Sequence, residues 1–128
     1  MPVKFAPQLH IPNGVTDVSF YEKALGAVEV RRFSDDDGTI HVSEFKIGEV
    51  FFHLHEQKPG SKVLCPAELN GAYTATIGLF VDDVDAVIQN AVNAGATLAS
   101  PAQDYDYGYR QGQFIDPFGH PWEISKAI

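Results

Sequence analysis

The stretch Tyr109-Arg-Gln-Gly-Gln-Phe-Ile-Asp-Pro-Phe-Gly-His-Pro-Trp-Glu-Ile-Ser-Lys-Ala-Ile128 decides how the rest of the chain is read. Gln111 to Ile115 and Trp122 to Ser125 have strand character, and between them lies the tetrad Asp116-Pro117-Phe118-Gly119. Proline at the second position and glycine at the fourth are preferences of a type I turn, so the stretch reads as a β-hairpin. In its second strand, alternation puts Trp122 and Ile124 on one face and Glu123 and Ser125 on the other. Glu123 is a lone carboxylate between large apolar residues. It is either solvated at a sheet rim or part of a site.

Outward from the hairpin, the 128 residues have the length of one domain, enough to bury about two-thirds of the unfolded surface. A formal net charge of −8 argues against nucleic acid and anionic membranes as partners. It favours neutral or cationic ligands, or serves solubility alone. The single cysteine, Cys65, excludes an internal disulfide and fits a reducing compartment. Met-Pro-Val-Lys-Phe-Ala-Pro lacks the apolar core of a signal peptide, and no apolar run has the length of a membrane span. A cytoplasmic location is expected.

Punctuation organises the rest. Phe5 to Ile11 reads as a strand, broken by Pro12-Asn-Gly14. Thr16 or Asp17 can cap a helix to about Leu25, with Val18, Tyr21 and Leu25 on one stripe and Gly26 as its stop. Val28 to Phe33, Thr39 to Ile47 and Val50 to Glu56 read as strands, the last two joined tightly by Gly48-Glu49. Gln57 to Gly71 has no period and reads as a linker or loop. The order then restarts: strand Tyr73 to Val81, a helix capped by Asp83 and ended by Gly95, a short strand Thr97 to Ser100, a loop to Gly108, and the hairpin. Gly26 and Gly95 stand 69 positions apart (95 − 26) in the matching contexts Leu25-Gly-Ala27 and Ala94-Gly-Ala96. The chain is therefore an internal duplication of a βαβββ unit. One domain over 1–128 divides into a first module at about 1–57, a linker at about 58–71 and a second module at about 72–128. The expected fold is α+β, with two βαβββ modules forming a cup-shaped mixed sheet and helices outside.

The segments Asp17-Val-Ser-Phe-Tyr-Glu-Lys-Ala-Leu-Gly-Ala27, Ala94-Gly-Ala96 and Asp116-Pro-Phe-Gly-His-Pro-Trp-Glu123 carry a further signal. Together they resemble the vicinal oxygen chelate superfamily of glyoxalase I, bleomycin-resistance proteins and extradiol dioxygenases. Gly108-Tyr-Arg-Gln-Gly before Asp-Pro-Phe-Gly-His looks most like the small PhnB-like and glyoxalase-like members. The likeness covers nearly the whole chain and concerns the fold, because such members handle very different substrates. It implies a small-molecule ligand and a homodimer, with pockets of one chain or of both.

In metal-using members, the first and last strands of each module supply four ligands. On this resemblance Glu123 falls on the last-strand glutamate and is the catalytic candidate. His53, in Val50-Phe-Phe-His-Leu-His-Glu56, takes the matching place in the first module. Thr76 stands where the family often has histidine, and Ala6 stands at the ungapped first-strand position. Gln8 and His10 lie further along the same face. The implied metal ligands are His53 and Glu123, joined by His10 after a register shift. The ion is Zn, Ni, Mn or Fe, or there is none, since two ligands are fewer than the three a catalytic metal commonly keeps.

Alternation puts Phe51, His53 and His55 on one face of their strand. Phe51, Phe80 and Phe114 are expected to face the cup or its mouth. Tyr105, Tyr107 and Tyr109 are placed to stack on a planar ligand or to cover an interface. The binding candidates are thus Gln8, His10, Phe51, His55, Thr76, Phe80, Tyr107, Tyr109 and Arg110, the last also a salt-bridge partner for Glu123 at a rim. Trp122 reads as core, His120 as part of the closing turn, and His41 has no assigned role. No phosphate loop, CxxC pair or nucleophile elbow is present, and Cys65 has no histidine close in sequence.

Two functions follow from these residues and the resemblance. One is a metal-dependent lyase or isomerase of glyoxalase type, with dioxygenase chemistry a lesser option. The other is a metal-free binding protein that sequesters a cationic or planar compound, as bleomycin-resistance members do. Whether the chain is an enzyme stays open at this level.

Overall fold

The computed structural model describes residues 2–128. Its elements are β1 (Gln8–Ile11), α1 (Phe20–Leu25), β2 (Val28–Ser34), β3 (Ile40–Ile47) and β4 (Val50–Glu56). A short 3-10 turn (Pro66–Leu69) follows, then β5 (Ile77–Phe80), α2 (Val84–Asn93), β6 (Thr97–Tyr105), β7 (Tyr109–Ile115) and β8 (Pro121–Ala127). The strands form two four-stranded sheets, ordered β1-β4-β3-β2 and β5-β8-β7-β6. Each is mixed: β1 runs parallel to β4 and β5 parallel to β8, while the remaining pairs are antiparallel. Two βαβββ modules of the same topology are present, as the repeat of Gly26 and Gly95 predicts.

Several boundaries differ from expectation for local reasons. β1 begins at Gln8, because Pro7 has no N–H to give a ladder. Instead the Pro7 carbonyl accepts from the His53 amide at 2.8 Å. α1 begins at Phe20, after Ser19, and Asp17 shapes its approach by accepting the Ser19 amide at 2.8 Å. Asp83 caps α2 as expected, accepting the Ala86 amide at 3.0 Å. β5 is shorter than Tyr73–Val81, with only Ile77–Phe80 paired to β8. β6 is longer than expected and runs through Pro101 to Tyr105, with register shifts between Leu98 and Gln103. An edge strand tolerates proline where a central one does not.

The two modules share a core. α1 packs against α2, and α2 lies on β6, β7 and β8. Phe20, Tyr21, Phe45, Phe52, Phe114 and Trp122 are all buried. The Phe52 and Trp122 rings, from equivalent positions of β4 and β8, meet edge to face at 5.3 Å. Offset and edge-on contacts of this kind add to the area that aromatic rings bury.

At the centre lies Asp116, which is 3 % exposed. Its Oδ2 accepts the Tyr21 hydroxyl at 2.7 Å and the Trp122 indole N–H at 3.0 Å. Its Oδ1 accepts the amides of Phe118 at 2.9 Å and His120 at 3.0 Å. The Gly119 amide closes the predicted turn onto the Asp116 carbonyl at 2.9 Å. Burial, with Asp116 beside it, raises the Tyr21 phenol well above the ordinary tyrosine range, so it stays a donor. Asp116→Ala strands two buried side-chain donors and is expected to cost about 3–5 kcal/mol in denaturant unfolding. Asp116→Asn keeps one acceptor and costs less, about 1–3 kcal/mol. An Asp116→Ala protein as stable as the parent would refute this role.

Candidate functional site

Strand alternation divides each sheet into a core face and a polar face. In the first sheet Leu9, Phe52 and Leu54 are buried, so Gln8, His10, Phe51, His53 and His55 point the other way. The register sets Gln8 beside His53 and His10 beside His55 on the parallel pair, with Glu44 beside His53 on β3. In the second sheet Trp122 and Ile124 are buried, so Glu123 and Ser125 face away from the core, beside Gly78 and Phe80 on β5 and Gln113 and Gln111 on β7.

The first polar face is a wall of histidines. Ring centroids of His10 and His55 lie 6.0 Å apart, and those of His53 and His55 lie 5.9 Å apart. Burial, then the neighbouring His120, lowers the His10 pKa. Burial, then His10 and His53, lowers that of His55, against the opposing charge of Glu44. Both imidazoles therefore favour the neutral form. Among the described residues, the buried Nε2 atoms of His53 and His55 have no hydrogen-bond partner. A buried polar atom in that condition is costly and marks a place where an incoming group would be welcome. His10 also joins the modules: its carbonyl lies 2.8 Å from the His120 Nε2.

The second polar face is a carboxylate among amides and phenols. The Gln111 side-chain N–H₂ donates to Glu123 Oε1 and to Ser125 Oγ, each at 3.1 Å, and Gln111 Oε1 accepts the Tyr107 hydroxyl. Tyr105 and Tyr107 stack at 5.3 Å, Tyr107 and Tyr109 meet edge-on at 6.0 Å, and Tyr109 meets Phe80 at 5.6 Å. Lost hydration, then Tyr105, Glu123 and Asp106, raises the Tyr107 phenol above its usual value. A row of aromatic rings thus runs beside Glu123.

The two walls do not face each other within one chain. Phe52 and Trp122 touch on the core side, so their sequence neighbours His53 and Glu123 are turned away from one another. Among the described residues, no three His, Cys, Asp or Glu side chains converge to hold a metal ion. The residues of one chain therefore do not fit the four-strand metal centre. The strand position beside Glu123 is Gly78, which has no donor, and the one beside His53 is Gln8. Ala6 and Thr76, aligned by ungapped comparison, lie outside the strands, two residues before these paired positions.

Other candidates separate by face. Phe51 and Phe80 come together with Gly78, Leu79 and the segment Pro2–Phe5 around a groove of about 900 Å³. Thr76 is exposed and lies apart from Glu123's hydrogen bonds. Phe114 does not face the cup but is fully buried beneath Trp122, since it alternates with Gln113. Arg110 likewise lies on the outer side, where it grips Asp85 with two N–H groups at 2.8 Å and Asp104 at 2.9 Å. It makes no pair with Glu123. Gln111, Gln113 and Ser125 were missing from the sequence candidates, although their alternation with Phe114 and Ile124 carried the signal. Cys65 is buried, which raises its thiol pKa and suits packing.

His41 sits outside both walls, its Nε2 2.8 Å from Asp35 and its Nδ1 3.1 Å from Glu56. Hydrogen bonds to Asp35 and then Glu56 raise its pKa. A raised folded pKa contributes stability that is full below the unfolded value, about 6.5, and is lost as pH rises through the folded value. The parent should therefore exceed His41→Gln in thermal midpoint more at pH 5.5 than at pH 8. The gap should be small, because the ring is exposed. A gap that widens toward pH 8 would overturn the assignment.

The comparisons accord with this fold. The structure of TioX from Micromonospora sp. ML1 superposes with a TM-score of 0.69 at 24% identity, covering 97% of this chain and 99% of that one. The fosfomycin resistance protein FosX from Listeria monocytogenes gives 0.70 at 14% identity over 100% and 95% of the two chains. At such identities the likeness is one of fold. The uncharacterized protein Mb0911c of Mycobacterium bovis is 36% identical over 126 residues, 96% of this chain and 82% of its own length. Residues 17–124 match the family model of the Glyoxalase/Bleomycin resistance protein/Dioxygenase superfamily. With that match over most of its length, on the fold and the hairpin described above, the chain belongs to this superfamily.

Proposed function

We propose that the protein binds a small molecule in a cup assembled from two copies, the histidine wall of one facing the Glu123 wall of the other. The observation that carries this is the divergence of His53 and Glu123 from a shared core, which leaves each chain with two half-sites. The walls are suited to each other. The first bears Arg31, Lys46 and three histidines against Glu44, the second a carboxylate among neutral groups. The occupant is a planar or cationic compound: tyrosines offer ring faces, Glu123 a negative charge, and the net charge of −8 an attractive field. Binding without chemistry needs nothing further. A homodimer is the minimal functional unit, in a cytoplasmic setting.

A second reading is favoured by the unpartnered Nε2 atoms of His53 and His55. Imidazole nitrogens without partners suit a divalent cation, and the residues to hold it would be His53 and Gln8 of one copy with Glu123 of the other. Such an ion supplies a Lewis acid to neighbouring substrate oxygens, the chemistry of a lyase or isomerase of glyoxalase type. Gln111 would then hold the Glu123 carboxylate in orientation.

Sedimentation velocity at micromolar concentration is expected to give a dimer. A His53→Cys/Glu123→Cys protein treated with a short bismaleimide should run as a covalent dimer on a denaturing gel, with the parent, whose lone cysteine is buried, as control. Cross-links confined within single chains would overturn the two-copy cup. Elemental analysis of untagged protein decides between the readings. Stoichiometric metal lost in Glu123→Gln supports the enzyme, and no uptake of Zn, Ni, Mn or Fe after soaking supports the binder.

A further inference from the structure

The chain has eleven glycines, and ten have a structural reason to be glycine. Nine hold a positive φ that side chains rarely adopt. Gly112 has ordinary φ, but a Cβ there would lie 3.1 Å from the Ala102 nitrogen and from two Ile88 carbons under α2. Gly78 has neither reason. Its φ is ordinary, and a Cβ built on it meets nothing within 4 Å. Glycine in the middle of a short strand weakens that strand, and commonly marks a place where a ligand or another backbone comes close.

The place is informative. Gly78 pairs with Glu123, so its missing side chain opens a space beside that carboxylate on the same sheet face. Phe80, two residues on, shares the face, is 64% exposed, and leans its ring edge on Tyr109. Gly78 also lines the groove of about 900 Å³ with Phe51, Leu79, Phe80 and Phe5. That volume is in the range of small-molecule sites. Glu123 lies outside that groove's lining, but Gly78, Glu123 and the Phe80 rim share one sheet face of one chain.

We propose that Gly78 is the floor of the ligand site, kept free of a side chain so that an aromatic cation lies flat on it. The ring rests over Gly78 against Phe80, which leans on Tyr109, and its amidinium or ammonium edge meets Glu123, which Gln111 holds in place. This rests on the reading of the protein as a binder of planar or cationic compounds and names the residue that sets ligand thickness. An amidinium matches a carboxylate with two parallel hydrogen bonds, the strongest neutralisation available to a half-buried Glu.

Benzamidine, a flat cation, is the probe, read by amide chemical shifts in an NMR titration. The parent should show saturable shifts at Gly78, Phe80 and Glu123. Gly78→Val should weaken binding roughly tenfold or more by filling the floor. Its thermal midpoint should hold or rise, since valine suits a strand better than glycine. Glu123→Gln should weaken benzamidine binding by roughly tenfold as well, and uncharged benzamide should bind the parent correspondingly weakly. Gly112→Ala, the control, should lower the midpoint by crowding Ile88. The proposal falls if benzamidine gives no saturable shift, if Gly78→Val binds it as the parent does, or if Gly78→Val unfolds earlier. It also falls if Gly78→Val turns a dimer into a monomer, for the space then belongs to the second copy. A parent that is monomeric yet binds benzamidine over Gly78 sinks the two-copy cup and leaves this site standing. A dimer whose benzamidine binding ignores Gly78→Val does the reverse.

Discussion

A carboxylate with almost no access to water, accepting four hydrogen bonds, is the constraint on which this fold depends. Burying an ionised Asp is costly unless its oxygens are saturated with donors. Asp116 draws those donors from three places: its own turn, the indole of β8 and the hydroxyl of Tyr21 on α1. The turn amides fix the hairpin, and the hairpin fixes the register of β8. The Tyr21 bond then ties the first module to the second across 95 positions of sequence. The one carboxylate thus holds the hairpin, β8 and α1 together at the junction of the modules.

The docking determines what the polar faces can do. Because the modules meet through Phe52 and Trp122, alternation turns His53 and Glu123 outward on opposite sides. A continuous cup within one chain would need those rings apart and the polar faces together. On the proposed reading, function lies in what each face recruits. The histidine wall has buried nitrogens lacking partners, and the carboxylate wall has a bare floor at Gly78 and a tyrosine rim. In the proposed reading, each wall is half of a binding site in its chemistry as well as in its shape.

Much of this was legible in the residues. The hairpin, the Asp83 cap, the bounds of β4 and the glycine-marked duplication follow from local rules. Trp122 and Glu123 take the faces that period two assigns them. Pro101 misled because its meaning depends on whether a strand is at an edge, a fact of sheet order. The length of β1 was hidden by Pro7, whose carbonyl still pairs although its nitrogen cannot. Arg110 and Phe114 were legible but misread, since counting by twos from Glu123's neighbour Gln113 puts both on the far face. The meeting of the two modules through their core faces was not legible at all. Either arrangement satisfies the same apolar pattern, and only tertiary packing selects one.

Trp122 is the only tryptophan in the chain. It is 1% exposed, with Phe52 at 5.3 Å, Tyr21 at 6.1 Å, Phe114 at 6.2 Å and its N–H on Asp116. An indole held at the seam between two halves is an intrinsic optical gauge of that seam. Its emission colour distinguishes intact halves that have merely parted from a chain that has lost its sheets, when followed beside far-ultraviolet dichroism. The residue that closes the core thus lets the assembly of the duplicated halves be watched without any label.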